Sequence, residues 1–178
     1  NLCDTSIEGD MNLDNEVDIL DVIRILNIIT LYNSGPTEQE LSTADFNSDG
    51  NIDVLDIVSL VTYIFDGTPR AMDADSATMT IADNSLRLSA NGYIGGIQMT
   101  LTHANGFELN LTDNAMVSEY KTTGTSTTLV VVVPEEELIF TANQSFEVVD
   151  MIVANSEVEI DVNTVSEFGI TAAYPNPF

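Results

Sequence analysis

Oxygen-bearing side chains recur at one spacing in two segments of the sequence, the first beginning at Asp10 and the second 35 positions later at Asp45. Each segment has Asp or Asn at its first, third, fifth, ninth and twelfth positions. These residues are Asp10, Asn12, Asp14, Asp18 and Asp21 in the first segment, and Asp45, Asn47, Asp49, Asp53 and Asp56 in the second. The seventh residues, Glu16 and Asn51, would each add a main-chain carbonyl. A hard cation such as Ca2+ takes six to eight oxygens from a loop of this kind, so the sequence predicts two calcium sites.

The pattern is that of an EF-hand-type loop with two departures. The sixth position, where glycine normally makes the sharp turn, is Gly50 in the second loop but Asn15 in the first. Asn tolerates a positive φ better than most residues, so we expect the turn to survive. The twelfth residue is Asp in both loops, where Glu is usual, so the bidentate ligand has a shorter side chain. Two such loops in register predict two Ca2+ ions as the only cofactor.

Each loop is followed by an apolar pattern that predicts a helix with a broad buried face. The apolar residues are Val22, Ile23, Ile25, Leu26, Ile28 and Ile29 after the first loop, and Ile57, Val58, Leu60, Val61, Ile64 and Phe65 after the second. No comparable run precedes either loop, and only the short segment 37–43 lies before the second. The sequence therefore predicts two units of loop plus exiting helix, without an entering helix.

Residues 9–26 and 44–64 resemble a dockerin, the small module that pairs with cohesin domains in secreted bacterial assemblies. The resemblance covers residues 9 to 67. It implies that loop positions 10 and 11, here Ile19-Leu20 and Val54-Leu55, help to choose the partner. These apolar pairs suggest a hydrophobic contact surface. The alternative is that they close the core of the module itself.

Charge and cysteine content narrow the class of partner. The chain has 29 acidic and 4 basic residues and a formal charge of -25, so nucleic acid and anionic membranes are excluded as partners. The single cysteine, Cys3, allows no internal disulfide, which leaves metal as the stabilising cross-link outside the cell. Cys3 itself could be buried, could link two chains or could be incidental. No apolar stretch reaches about 20 residues, so no membrane span is expected. No signal peptide is visible at Asn1, as expected for a processed chain.

The second part of the chain has the period of β-strands. After a linker at residues 66–70, Ile97, Met99, Leu101 and His103 alternate with polar residues, and the pattern returns over residues 107–111. Further strands are predicted at 77–82, 86–90, 115–120, 127–133, 138–141, 146–154 and 157–162. Eight or nine short strands separated by Asn-rich turns predict a β-sandwich. The apolar run 129–133 lacks alternation and is predicted to be buried on both faces.

Residues 91–101 and 154–160 resemble a cohesin-like jelly-roll sandwich, which implies only the class of fold. The predicted fold is therefore α+β in two domains. A small all-α dockerin-like calcium module spans residues 1–69, an all-β cohesin-like sandwich spans 70–167, and an extended tail spans 168–178. The tail sequence 173–178 resembles the opening motif of the sorting domain found in type IX secretion substrates of Bacteroidetes-like bacteria. This resemblance implies a protein that is extracellular or on the cell surface.

No catalytic constellation can be assembled from the sequence, so we expect that the protein is not an enzyme. His103 is the only histidine, and it follows two apolar strand residues, as a structural histidine at the sheet rim would. No serine, threonine or cysteine lies in a nucleophile motif, and no glycine loop could cradle a phosphate. The loop aspartates would be occupied by calcium.

A chain that carries both a dockerin-like and a cohesin-like module can bind copies of itself. If the two surfaces do not satisfy each other within one chain, association is head to tail and gives open filaments or layers. This hypothesis makes the chain a secreted, calcium-stabilised structural protein of the extracellular space. The alternative is the carboxy-terminal anchoring fragment of a larger secreted enzyme, for example one that degrades polysaccharide. A third possibility is a rigid monomer that buffers calcium or binds glycans.

Overall fold

The computed structural model describes residues 7–30, 35–65 and 72–166. Among these residues, the amino-terminal part contains three helices: α1 (Ile19–Thr30), α2 (Glu38–Ala44) and α3 (Val54–Ile64). Helices α1 and α3 begin inside the two acidic loops and carry the apolar residues that follow them. The two predicted exiting helices are thus confirmed. The tail 168–178, the linker and Cys3 lie outside the described residues.

Helix α2 corrects the prediction that no helix enters the second loop. It spans two turns and ends at Ala44, immediately before Asp45. A capping box starts it: the Thr37 hydroxyl accepts the N–H of Glu40, and the Glu40 carboxylate accepts the N–H of Thr37. The Thr37 N–H and then the Arg24 guanidinium of α1 lower the pKa of Glu40. An amphipathic pattern was absent because the helix is short and is held mainly by its cap.

The predicted β-sandwich is confirmed. Nine strands follow along the described residues: β1 (Ser76–Ala82), β2 (Ser85–Ala90), β3 (Gly96–His103), β4 (Leu109–Leu111), β5 (Ala115–Thr123), β6 (Ser126–Pro134), β7 (Leu138–Ala142), β8 (Phe146–Ala154) and β9 (Asp161–Ser166). One sheet has the order β4-β7-β2-β1-β9 and the other β5-β6-β3-β8. Neighbouring strands are antiparallel, except that β9 pairs with β1 in parallel.

Two predicted strands differ from the observed ones at their ends. The strand expected over residues 107–111 is reduced to β4, and the one expected over 157–162 is displaced to β9. The displacement has a local cause, since the Asn155 side chain accepts the N–H groups of both Glu157 and Val158 at 2.8 Å. Asn155 N–H also bonds the Val158 carbonyl, so this segment is a turn.

Strand β6 is buried on both faces, as its sequence predicted. Leu129 and Val131 belong to the core between the two sheets, together with the inward residues of β3. Val130 and Val132 belong to a second core, which α1 and α3 form with the outer face of β5-β6-β3-β8. The sandwich thus has one sheet covered on both sides, and the helical module supplies the second cover.

Candidate calcium loops and docking interface

The first acidic loop is folded around its own carboxylates. Asp10 is buried and accepts the N–H of Asp14 at 3.1 Å and that of Asn15 at 2.9 Å. The Asn12 amide donates to the Asp14 carboxylate at 2.7 Å. At the far end of the loop, Asp21 is completely buried and accepts the N–H of Asn12 at 3.2 Å. The first, third, fifth and twelfth residues are therefore drawn into one hydrogen-bonded loop.

The second loop repeats these contacts at equivalent positions. Asp45 accepts the N–H groups of Asp49 and Gly50 at 3.0 and 3.1 Å. Asp56 is completely buried and accepts the N–H of Asn47 at 3.1 Å. Loops that differ in sequence but agree in contacts to about 0.2 Å share one backbone conformation, as expected for two copies of one motif.

The turn at the sixth position survives the exchange of Gly for Asn. The φ angle is 89° at Gly50 and 71° at Asn15, so both lie in the left-handed region. The structure adds a second such position that the sequence did not reveal. The fourth residues, Leu13 and Ser48, have φ angles of 60° and 59°. No residue type signals that conformation, because neither is glycine, Asn or Asp.

The ninth residue of each loop has a second role that sequence reasoning missed. Asp18 accepts the N–H of Leu20, and Asp53 accepts that of Leu55, both at 2.8 Å. Asp53 is the N-cap of α3, and the N–H of Asp53 donates to the Asp56 carboxylate at 2.9 Å. An Asp directly before an apolar helical pattern, with a carboxylate three residues later, was the available signal. The same side chain therefore serves the end of each loop and the start of the helix that follows it.

Burial and crowding of like charges destabilise the ionised forms of Asp53 and Asp56 in the second loop. Burial, with the negative charges of Asp53 and Asp45, raises the pKa of Asp56 to about 6, even though two N–H groups oppose the shift. The pKa of Asp53 is also raised, chiefly by burial. Asp49 behaves oppositely: its pKa is lowered by the N–H of Asn51 and by the Asn47 side chain. A divalent cation would remove the charge penalty at Asp53 and Asp56.

The donor set of each loop fits calcium by its chemistry. In residues 7–30, 35–65 and 72–166, no three His, Cys, Asp or Glu side chains form a group that could hold a metal ion by themselves. Each predicted site contains four aspartates besides an Asn oxygen and a main-chain carbonyl, so within the described residues the four carboxylates of a loop are not gathered into such a group. The buried Asp21 and Asp56 are carboxylates that have no basic partner among their hydrogen bonds. The twelve ligands remain a prediction.

Loop positions 10 and 11 have different environments in the two loops. Val54 is 0% exposed and half-buried Leu55 follows it, whereas Ile19 is half-buried and Leu20 is 51% exposed. Val54 packs in the core shared with the sandwich. For the second loop, therefore, the predicted contact surface faces a domain of the same chain.

Two glycines of the sandwich allow α3 to approach closely. A Cβ atom on Gly96 would overlap the Val54 side chain, and one on Gly95 would lie 3.0 Å from both methyl groups of Val58. The Val54 N–H donates to the Gln98 side-chain oxygen at 3.0 Å. Backbone and side chains of α3 thus both contact the start of β3.

The turn that follows β8 holds the chain on both sides of the linker. Before the linker, the Thr62 hydroxyl donates to the Ser156 carbonyl at 3.2 Å. After it, Asp73 accepts the Ser156 N–H at 3.2 Å and the Ser156 hydroxyl at 2.6 Å. The described segments before and after the linker therefore both bond to Ser156.

His103 lies at the end of β3 and has structural contacts. Its ring stacks on Phe107 with centroids 4.0 Å apart. One ring nitrogen lies 2.8 Å from the Thr127 hydroxyl and the other 2.9 Å from the Ala104 carbonyl. Both ring nitrogens are occupied, which agrees with the interpretation of a rim histidine.

Comparisons with known proteins give one family match and one similar structure. Residues 8–65 match the family model described as Dockerin type I domain. The helical part is therefore a dockerin module, and modules of this class serve protein–protein interaction. A solved structure titled non-cellulosomal cohesin from the hyperthermophilic archaeon Archaeoglobus fulgidus is similar at a TM-score of 0.33 and 10% identity, covering 54% of this chain and 86% of that chain. No curated protein matches the chain. Among the described helices, none is long and apolar enough to cross a membrane.

Proposed function

We propose that this chain is an extracellular, calcium-stabilised protein-interaction and assembly protein. One observation carries the proposal: the dockerin module packs its apolar helices on the outer face of β5-β6-β3-β8 in the same chain. The sandwich, whose residues 91–101 and 154–160 resemble cohesins in class of fold, is proposed as the partner on the ground of this contact. The chain then carries both members of a docking pair.

Because the helical module contacts the sandwich of its own chain, head-to-tail assembly requires that this contact first open. A linked pair binds itself at an effective concentration on the order of millimolar, so closed chains prevail in dilute solution. The shared attachment of Thr62 and Asp73 at Ser156 favours this closed state. Filaments form when the module of one chain docks on the sandwich of the next, which is a heterologous contact that does not close. Crowding at a cell surface promotes this exchange.

Calcium is proposed to act as a structural ion in both loops. Two bound Ca2+ ions change the formal charge from -25 to -21. Asp10, Asn12, Asp14, Asp18 and Asp21, with the Glu16 carbonyl, would hold the first ion. Asp45, Asn47, Asp49, Asp53 and Asp56, with the Asn51 carbonyl, would hold the second. Because the loops begin α1 and α3, binding energy becomes folding energy of the module.

Anchoring of a larger secreted enzyme is the second candidate function. Apolar side chains beside the first loop favour it, since Leu13, Leu20 and Ile23 are exposed in the closed chain. They leave the module a surface for an external protein. A gene that encodes a catalytic domain before Asn1 supports this candidate, and a gene without one supports assembly.

Electron microscopy and light scattering of the purified chain test the assembly. In calcium, we expect monomers at micromolar concentration and filaments or layers at millimolar concentration. Addition of chelator should change both the monomers and the filaments or layers. Isothermal calorimetry should give two ions per chain. A monodisperse monomer in calcium at millimolar concentration excludes self-assembly, and a chain that binds no calcium excludes the ion's structural role.

A further inference from the structure

Equivalent residues of the two repeats have opposite surroundings. Val54 and Val58, in the first turns of α3, are 0% and 2% exposed. Their counterparts in α1, Ile19 and Ile23, are half-buried and 37% exposed. The residues are apolar in both repeats, so composition does not explain the difference. The sandwich covers the start of α3 and leaves the start of α1 open.

The covered end of α3 is the end at which its loop terminates. Asp53, a predicted ligand, caps α3, and the next residue, Val54, bonds Gln98 of β3. Only one peptide unit separates the ligand from the interface. Any change in the second loop that releases the Asp53 cap therefore moves the N–H and the side chain that contact the sandwich.

Among the described contacts, no hydrogen bond joins the first loop to the sandwich. Asp18 caps α1, the next residue Ile19 is half-buried and packs partly against the second core, and Leu20 and Ile23 are exposed. The completely buried side chains Val22, Ile25 and Leu26 lie about one to two turns after the start of α1, and they share a core with Val130 and Val132 of β6. Loss of order in the first loop therefore reaches the sheet only through the body of the helix.

We propose that the ion of the second loop controls the docking of the helical module on its own sandwich, and that the ion of the first loop does not. Emptying the second loop uncovers the sheet face around Gly96, Gln98 and Val132, which fits a second two-helix module of the same kind. The second loop is then the element that selects between the closed chain and exchange with a second copy. This inference rests on the proposed function, because it requires that both loops bind calcium.

Two matched variants separate the loops. Asp14→Ala and Asp49→Ala remove the fifth ligand, and both aspartates are exposed and make the same local contacts, accepting a main-chain N–H and an Asn amide. The reporter is Val132→Cys in a Cys3→Ser background, because Val132 is completely buried under the helices. The rate of thiol labelling in calcium measures how often the sheet face is uncovered.

We expect Asp49→Ala to label at least about tenfold faster than the reporter parent, and Asp14→Ala to stay within about threefold of it, as local opening predicts. Hydrogen exchange of β1 and β2 must stay slow in both variants, which shows that the sandwich is folded. Independently of the reporter cysteine, amide exchange over Val54–Ile64 should accelerate in Asp49→Ala more than in Asp14→Ala. Gln98→Ala should also accelerate labelling while leaving two bound ions.

Equal labelling of the two loop variants overturns the inference, and so does slow labelling of Asp49→Ala. In either case, calorimetry that still shows two ions for the parent leaves the proposed function intact. A parent that binds no calcium overturns both. The two failures are therefore distinguished by one titration.

Discussion

Asp14 and Asp49 occupy the same position of two loops with nearly identical contacts, yet the helices that follow the loops meet different environments. The start of α3 lies under the sandwich beside Gly96, while the start of α1 carries exposed Leu20. A motif of twelve residues thus fixes its own conformation but not whether the helix that follows it contacts the sandwich. That contact depends on which copy the sandwich covers.

The largest effect is expected when the second loop loses both end ligands. Asp45→Ala with Asp56→Ala should unfold residues 37–67, because neither the ion nor the hydrogen bonds of these carboxylates then hold the loop closed. Helices α2 and α3 hold 18 of the 30 described helical residues, so far-ultraviolet circular dichroism should lose more than half of its helical signal. The matched pair Asp10→Ala with Asp21→Ala should leave α3 protected on the sandwich. An unchanged helical signal in the first double variant contradicts the loop assignment.

The dependence of stability on pH should invert when calcium is removed. The folded-state pKa of Asp56, about 6, lies above the ordinary value of 3.8, so in chelator this carboxyl stabilises the fold when protonated. That stability is present below about pH 4 and is lost as pH rises through about 6, by at most about 3 kcal/mol. In calcium, stability should instead rise with pH, because the ion binds the carboxylate.

Thermal unfolding at pH 4, 5, 6 and 7, with calcium and with chelator, measures this inversion. Asp56→Asn should remove most of the slope in chelator, since it keeps the shape of the side chain without its titration. A slope that persists in this variant assigns the titration to another group.

Gly96→Ala should weaken the interface at the covered copy. The added methyl group overlaps Val54, so helix or strand must shift, at a cost of about 1 to 3 kcal/mol. Thr102→Ala is the control, because Thr102 is an exposed residue of the same strand. Chemical denaturation should show the loss in the first variant only. Equal stability of both variants would mean that α3 does not press on β3.

The smallest effect on stability is expected at the open copy. Leu20→Ser should change the free energy of unfolding by no more than about 0.5 kcal/mol, because the side chain is 51% exposed. Val54→Ser changes the buried residue of Val54-Leu55, the pair that corresponds to Ile19-Leu20, and should cost about 2 kcal/mol or more. Denaturation curves of the two variants give this difference directly. Similar losses would show that both copies are covered.

Local order followed closely from the sequence. The spacing of the loop aspartates predicted both loops, the apolar pattern after each loop predicted its exiting helix, and alternation predicted most strands of the sandwich. The missed features depend on single side-chain contacts. Helix α2 relies on the Thr37–Glu40 cap, and the displaced β9 follows from the Asn155 turn. Such contacts leave no periodic pattern, so periodicity could not reveal them.

By itself, the sequence determined what each segment is, because ligand spacing, helical period and strand period are local properties. It also indicated that residues 129–133 are covered twice, since their apolar run had no polar face. Only the tertiary structure decided what covers them. The starts of α1 and α3 have similar apolar residues, Ile19 and Ile23 in one and Val54 and Val58 in the other. They differ in burial because Gly95, Gly96 and Gln98, about 40 residues after α3 begins, contact the start of α3. Which of two similar apolar faces is buried depends on how well each fits a sheet surface that is distant in the sequence. That fit exists only when both domains are folded.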